Sequence, residues 1–179
     1  MANPVNVLLV IDMLNDFMDP GGALYCGDAA RKIIPAVRSL IDRFTAEKNP
    51  VIYLCDAHDQ KDREFELFSP HAVAGTWGAE IIPQLRPPER SIVLAKTRFS
   101  AFYKTDLDRV LASVQPQEVW LSGVCTSICI MDTAGDLRNR DYSAVVPVDA
   151  VADFDPEYHA FALKRMERVY GVRLTRVSA

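Results

Sequence analysis

Four apolar runs in this chain each lead into side chains able to do chemistry. Residues 5–11 lead into Asp12, 51–55 into Asp56 and His58, 91–95 into Lys96, and 118–122 through Gly123 into Cys125 and Cys129. If these runs are strands of one parallel sheet, a carboxylate, a carboxylate–imidazole pair, an ammonium and a thiol converge at its carboxyl edge. That edge is where open α/β sheets bind their ligands. Cys129 is the candidate nucleophile. It lies in the first turn of a helix read over 126–140, where free N–H groups and the helix dipole favour a thiolate and can hold a developing oxyanion. Asp12 can take the thiol proton, and Lys96 can hold the resulting charges together. A cysteine taken alone can equally be a small buried hydrophobe, and residue type does not separate the two.

A second group follows the second run. Asp56-x-His58 places two ligands just past the strand, and Glu64 and His71 lie in the following loop. Two imidazoles and carboxylates suit a Zn, Fe or Mn ion with positions left open for water or a substrate atom. Glu64 sits in the charge-rich run 59–66, so a solvated loop accounts for the same residues, and spacing leaves both readings standing. Phe17, Phe68, Trp77, Phe99, Phe102 and Tyr103 fall in or beside these loops, where they can sandwich a planar substrate or pack the loops down. His159, Cys26 and Cys55 read as a helix-face histidine, a loop thiol and a buried strand thiol. Cys125 and Cys129 have three residues between them, neither a redox C-x-x-C nor a common zinc spacing.

The elements that must carry these residues alternate. After the first strand, the stripe Ile33, Val37, Leu40, Ile41 and Phe44 predicts a helix over 28–48 with Pro35 in an early turn. The stretch from 56 to 78 has no clean period, and long irregular segments inside compact domains are usually functional. Strand 91–95 leads through a polar–aromatic loop to a helix ending near 114, headed by a Thr105–Asp108 capping box. A strand over 142–148 follows helix 126–140. Asp155 as N-cap, Pro156 at the first helical position and Gly171 after the end delimit a last helix, and 172–177 supply a sixth strand. Such alternation predicts one parallel sheet covered on both faces by helices. Neither G-x-G-x-x-G nor G-x-x-x-x-G-K-[ST] occurs, so dinucleotide and P-loop versions of this architecture lose support.

The 179 residues are 49% hydrophobic and 25% charged, an ordinary globular composition without repeats or linkers, and 1–179 reads as a single domain. Twenty Lys and Arg against 24 Asp and Glu leave a formal charge of −4, which gives no reason to expect nucleic-acid or membrane partners. With no signal-type or membrane-length apolar segment, the expectation is a cytoplasmic protein with reduced thiols acting on a small molecule. Self-association to a homo-oligomer is compatible with this size, although no patch specifies it.

Several segments, in order and nearly end to end, resemble the isochorismatase-like cysteine hydrolase superfamily, and within it the nicotinamidase (pyrazinamidase) branch. They are VLLVIDMLNDF at 7–17, DAH at 56–58, FSPHAVAGT at 68–76, KTRFSAFYKTDL at 96–107 and GVCTSICIMDTAGDL at 123–137. The resemblance implies a three-layer α/β/α, Rossmann-like fold with a six-stranded parallel sheet. It implies a catalytic triad of Asp12, Lys96 and Cys129, in agreement with the strand ends. A cis peptide at Val124–Cys125 would join the N–H of Cys125 to that of Cys129 in an oxyanion hole. It also implies one divalent metal, zinc with iron or manganese as alternatives, on Asp56, His58, Glu64 and His71. Phe17, Phe68 and Tyr103 would line a ring pocket. The implied reaction is hydrolysis of nicotinamide to nicotinate and ammonia through a cysteine thioester. The alternatives are a metal-independent amidohydrolase of the same superfamily acting on a ureido or other small amide, and a non-catalytic binding protein on this fold.

Overall fold

The computed structural model describes residues 5–177. Seven strands form one sheet: β1 (Asn6–Ile11), β2 (Val51–Asp56), β3 (Ile92–Lys96), β4 (Glu118–Val124), β5 (Ala144–Pro147), β6 (Val151–Ala152) and β7 (Arg173–Thr175). The order is β3-β2-β1-β4-β5-β7, parallel at each pairing, with the short β6 paired to β4. Among the described residues the helices are α1 (Asn15–Met18), α2 (Gly27–Arg31), α3 (Ile34–Ala46), α4 (Leu107–Val114), α5 (Met131–Asn139) and α6 (Pro156–Tyr170).

Strand β1 shows why the runs are apolar at successive positions. Val7, Leu9 and Ile11 join a cluster on one face with Leu107 and Leu111 of α4, Ala134 and Leu137 of α5 and Met166 of α6. Leu8 and Val10 join the cluster on the other face with Val37, Leu40, Ile41 and Phe44 of α3. Side chains alternate across a strand, so one covered on both faces must be apolar throughout. Each such Leu or Ile contributes about 1.5–3 kcal/mol by leaving water. The result is the expected three-layer α/β/α arrangement around a parallel sheet.

The chain adds β2 and β3 on one side of β1, then β4, β5 and β7 on the other. This reversal between β1 and β4 opens a crevice at the carboxyl ends, onto which Asp12, Asp56, Lys96 and the segment after β4 all emerge. Gly123 sits directly opposite Ile11 in the register, with φ +115. A Cβ on it would lie 1.9 Å from the Ile11 carbonyl oxygen. The strand therefore runs through Gly123 to Val124 instead of ending before it.

Other boundaries differ for physical reasons. The helix expected over 28–48 is two, α2 and α3, broken at Lys32 and Ile33, because Pro35 has no N–H to continue the ladder. The capping box at Thr105 does not form. Asp106 is the N-cap of α4, and Thr105 Oγ1 accepts from Leu107 N–H (3.2 Å) while donating to the Ala101 carbonyl (2.5 Å). The helix expected from 126 begins as a π-helical turn, Thr126–Ile130, before α5. The sixth expected strand is shorter, Arg173–Thr175, and β6 is an additional one. Asp155 caps α6 by accepting from Glu157 and Tyr158 N–H, and Gly171 ends it at φ 69, both as expected. No helix among the described residues is long and apolar enough to cross a membrane.

Candidate active site and metal centre

Asp12 follows β1 in the left-handed region, φ 53, a conformation that Asp tolerates better than most residues. Its Oδ1 accepts from Asp56 N–H at 2.9 Å. Its Oδ2 forms an ion pair with Lys96 Nζ at 2.7 Å. Lys96, fully buried at the end of β3, donates to Asp56 Oδ1 (2.7 Å), to the Arg98 carbonyl (3.3 Å) and to Cys129 Sγ (3.4 Å). Reactive atoms of Asp12, Asp56 and Cys129 all lie within 4.8 Å of one another. The Val124–Cys125 peptide is cis, as expected. The turn that carries Cys129 is held from behind. Asp153 Oδ2 accepts from Ser127 N–H (2.7 Å), and His159 Nδ1 lies 2.9 Å from Thr126 Oγ1.

Burial sets the protonation states here. It raises the Asp12 carboxyl to about 6, with the Asp56 charge adding to the rise and Lys96 opposing it. Burial alone would lower Lys96, but Asp12, Cys129 and Asp56 together hold it well above its ordinary value, so it stays an ammonium. The expectation that a helix start favours a Cys129 thiolate fails at rest. Burial pushes the thiol well up, and the nearby carboxylates reinforce it against Lys96. The resting site is therefore a thiol next to a carboxylate poised to accept its proton.

The second group closes around the same edge. Donor atoms of Asp56, His58 and His71 lie within 4.8 Å of one another and could hold a metal ion. Glu64 flanks them, with Oε1 at 4.0 Å from His58 Nε2 and 3.7 Å from His71 Nε2. Nε2 of His58 and Oε2 of Glu64 are buried without a hydrogen-bond partner. His71 Nδ1 lies 2.8 Å from the Ser69 carbonyl, which keeps the proton there and leaves Nε2 a free lone pair. Buried orphans of this kind are costly unless an ion completes them, so the residues fit a divalent metal. Burial lowers the pKa of His71, which favours the neutral, ligating form.

Sequence reasoning missed the support of this group. Asp62 Oδ2 stands 3.3 Å from His58 Nδ1, and Asp62 in turn takes the Arg98 guanidinium at 2.9 and 3.0 Å. Carboxylates that orient a ligating imidazole recur in metal sites. The available signal was its position four residues after His58. Asp56 was assigned to the metal group alone, yet it bridges both groups, with Oδ1 on Lys96 and Oδ2 at 3.6 Å from His58 Nε2.

A cavity of about 350 Å³ joins the two groups. Asp12, Cys129 and Cys125 border it, as do Asp56, Glu64 and His71. Of the aromatics singled out, Phe17, Phe68 and Phe99 line it, joined by Tyr25 and Phe154, and no Lys or Arg does. Tyr103 is not among them. It is 46% exposed with Lys104 over its ring, and it borders a separate depression with Arg98 and Arg140. Trp77 is half exposed, and Phe102 is buried against Leu107 and under Arg140.

The isochorismatase domain family model matches residues 6–177. Nicotinamidase PncA from Bacillus subtilis is 36% identical with a TM-score of 0.91, covering 96% of this chain and 99% of that one. N-carbamoylsarcosine amidase from Thermoplasma acidophilum is 34% identical with a TM-score of 0.89, covering 98% of each chain. Pyrazinamidase of Pyrococcus horikoshii, solved in complex with zinc, is 30% identical with a TM-score of 0.91, covering 97% and 99%. With the model matching nearly its whole length and its strand ends carrying the site, the chain belongs to the isochorismatase family.

Proposed function

We propose that the chain is a metal-dependent nicotinamidase that hydrolyses nicotinamide to nicotinate and ammonia. The observation that carries this reading is the single cavity bordered at once by Cys129 and by Asp56, Glu64 and His71, with aromatic walls and no cationic residue. A planar, neutral amide fits such walls, and a ring nitrogen held at one group would present its carboxamide to the other.

In this mechanism Asp12 Oδ2 accepts the Cys129 proton as Sγ attacks the carboxamide carbon. The C–S bond forms, and the developing oxyanion is received by the N–H groups of Cys125 and Cys129. Lys96 stays protonated and holds the thiolate and carboxylate in register. Asp12 returns the proton to the departing amine, ammonia leaves, and a thioester remains. Asp12 then takes a proton from water as it attacks the thioester, releasing nicotinate and restoring the thiol. Asp56, His58 and His71, with Glu64 beside them, would hold a divalent ion, zinc by donor set and iron or manganese as alternatives. That ion would supply a Lewis-acidic anchor for the pyridine nitrogen. Phe17 and Phe68 bracket His71, with ring centroids 5.6 and 6.2 Å away, and would seat the ring beside it.

The test is ammonia release from nicotinamide, pyrazinamide, ureido acids and aliphatic amides, with and without chelator. Hydrolysis of the two heteroaromatic amides that is lost on chelation is expected. Preference for a ureido acid, or activity indifferent to chelator, would sink the reading.

A further inference from the structure

Two thiols meet on the cavity wall, and the amide chemistry uses neither side chain. Cys26 Sγ lies 3.4 Å from Cys125 Sγ, although 99 residues separate them in sequence. Both border the cavity that holds Cys129, and all four cysteines of the chain are free thiols. Each is anchored through its main chain. Cys26 N–H donates to the Phe17 carbonyl (2.9 Å), and the Cys125 carbonyl accepts from Ile128 (3.1 Å) and Ile130 (3.2 Å) N–H. The sulfurs are thus brought together by the fold, and a disulfide of about 2.05 Å needs an approach of roughly 1.3 Å from this contact.

We propose that Cys26 and Cys125 form an oxidisable dithiol, which a peroxide closes to a disulfide on the cavity wall, disabling the neighbouring Cys129. The hydrogen bond with Cys26, together with burial, pushes the Cys125 thiol up. Both sulfurs border the cavity and either can meet the oxidant first with the same balance; here it is Cys26. It attacks one peroxide oxygen; the S–O bond forms, the O–O bond breaks, and the displaced hydroxide leaves with the Cys26 proton as water. Cys125 attacks the resulting sulfenic sulfur; the S–S bond forms, the S–O bond breaks, and hydroxide leaves with the Cys125 proton as a second water. Two thiols lose two electrons, and one peroxide becomes two waters. Because Cys125 also contributes an N–H to the proposed oxyanion hole, drawing its side chain toward Cys26 shifts that donor. A misplacement near 1 Å at such a position costs about 10²-fold in rate.

The blocking effect rests on the proposed amidase reading, whereas the cross-link does not, so they are measured separately. In Cys129→Ala treated with hydrogen peroxide and digested without reductant, mass spectrometry is expected to show the Cys26 and Cys125 peptides joined, two hydrogens lighter than their sum. Reductant should separate them, and Cys26→Ser and Cys125→Ser should each lack the product. Sulfinic acids without a cross-link, or a cross-link that survives either serine variant, would overturn the dithiol. In the unsubstituted chain, ammonia release from nicotinamide should fall by about 10²-fold as the link forms and recover with dithiothreitol. Full activity in linked protein would overturn the blocking effect. A chain without amidase activity leaves the mass readout intact, so the two readings fail separately.

Discussion

The two halves of the site sit against one cavity and are completed in opposite ways. Around Lys96 the charges are answered from within the chain: an ammonium faces two carboxylates and a thiol, all buried at the ends of β1, β2 and β3 and just past β4. Around His58 they are answered only in part: Asp62 stands behind Nδ1, while Nε2 and a Glu64 oxygen are left without hydrogen-bond partners. The first half is built from strand ends, whose positions the sheet register sets. The second is built from the loop after β2, pinned by the 3-10 turn Arg63–Glu66 and the bridge between His58 and Val73. A self-sufficient charge cluster and an incomplete donor set ask for different perturbations.

The deepest break is Cys129→Ala, which removes the proposed nucleophile and leaves the donor set whole. Ammonia release should fall by about 10⁴-fold or more while bound metal stays unchanged by elemental analysis. Lost metal in that variant would mean that the halves are not separable. His71→Ala cuts the other half. Metal content should collapse and ammonia release drop by about 10²-fold or more, with the circular-dichroism spectrum intact. Asp62→Asn tests the support behind His58, and competition with a chromophoric chelator should show metal affinity weakened by about 10- to 100-fold. The smallest perturbation is pH. Asp12 must be ionised to take the thiol proton, and its carboxyl sits at about 6. kcat/KM should therefore be flat above that value and fall by about tenfold per pH unit below it. A profile flat down to pH 5 would remove Asp12 as the base.

The same contrast explains what could be read in advance. The positions of Asp12 and Lys96 were legible because uninterrupted apolar runs announce buried parallel strands, and one residue past each run is at the carboxyl edge; Cys129, seven residues past its run, was placed by the helix start that follows Gly123. Asp62 was not, because its approach to His58 depends on a 3-10 turn that no periodicity marks. Tyr103 was misplaced since a loop aromatic carries no sign of which side of the loop it faces. The state of the Cys129 thiol was misjudged because the dipole of a helix start is visible in sequence, whereas the burial that outweighs it is a property of the packed sheet. The pairing of Cys26 with Cys125 spans 99 residues and depends on where two loops meet. Pro35, Asp155 and Gly171 acted where they stand, since their effects are local.

Gly123 ties the proposed chemistry to the backbone itself. At φ +115 a Cβ on Gly123 would point into the Ile11 carbonyl, so at this point of the β1–β4 pairing there is no room for a side chain. One step beyond Ile11 stands Asp12, and three peptides beyond Gly123 begins the turn of Cys129. The gap between the proposed base and nucleophile therefore depends on a main-chain contact as well as on the packing of the core. A single methyl group at Gly123 would prise the two strands apart and widen it, so this position carries a constraint on catalysis although it supplies no reacting atom.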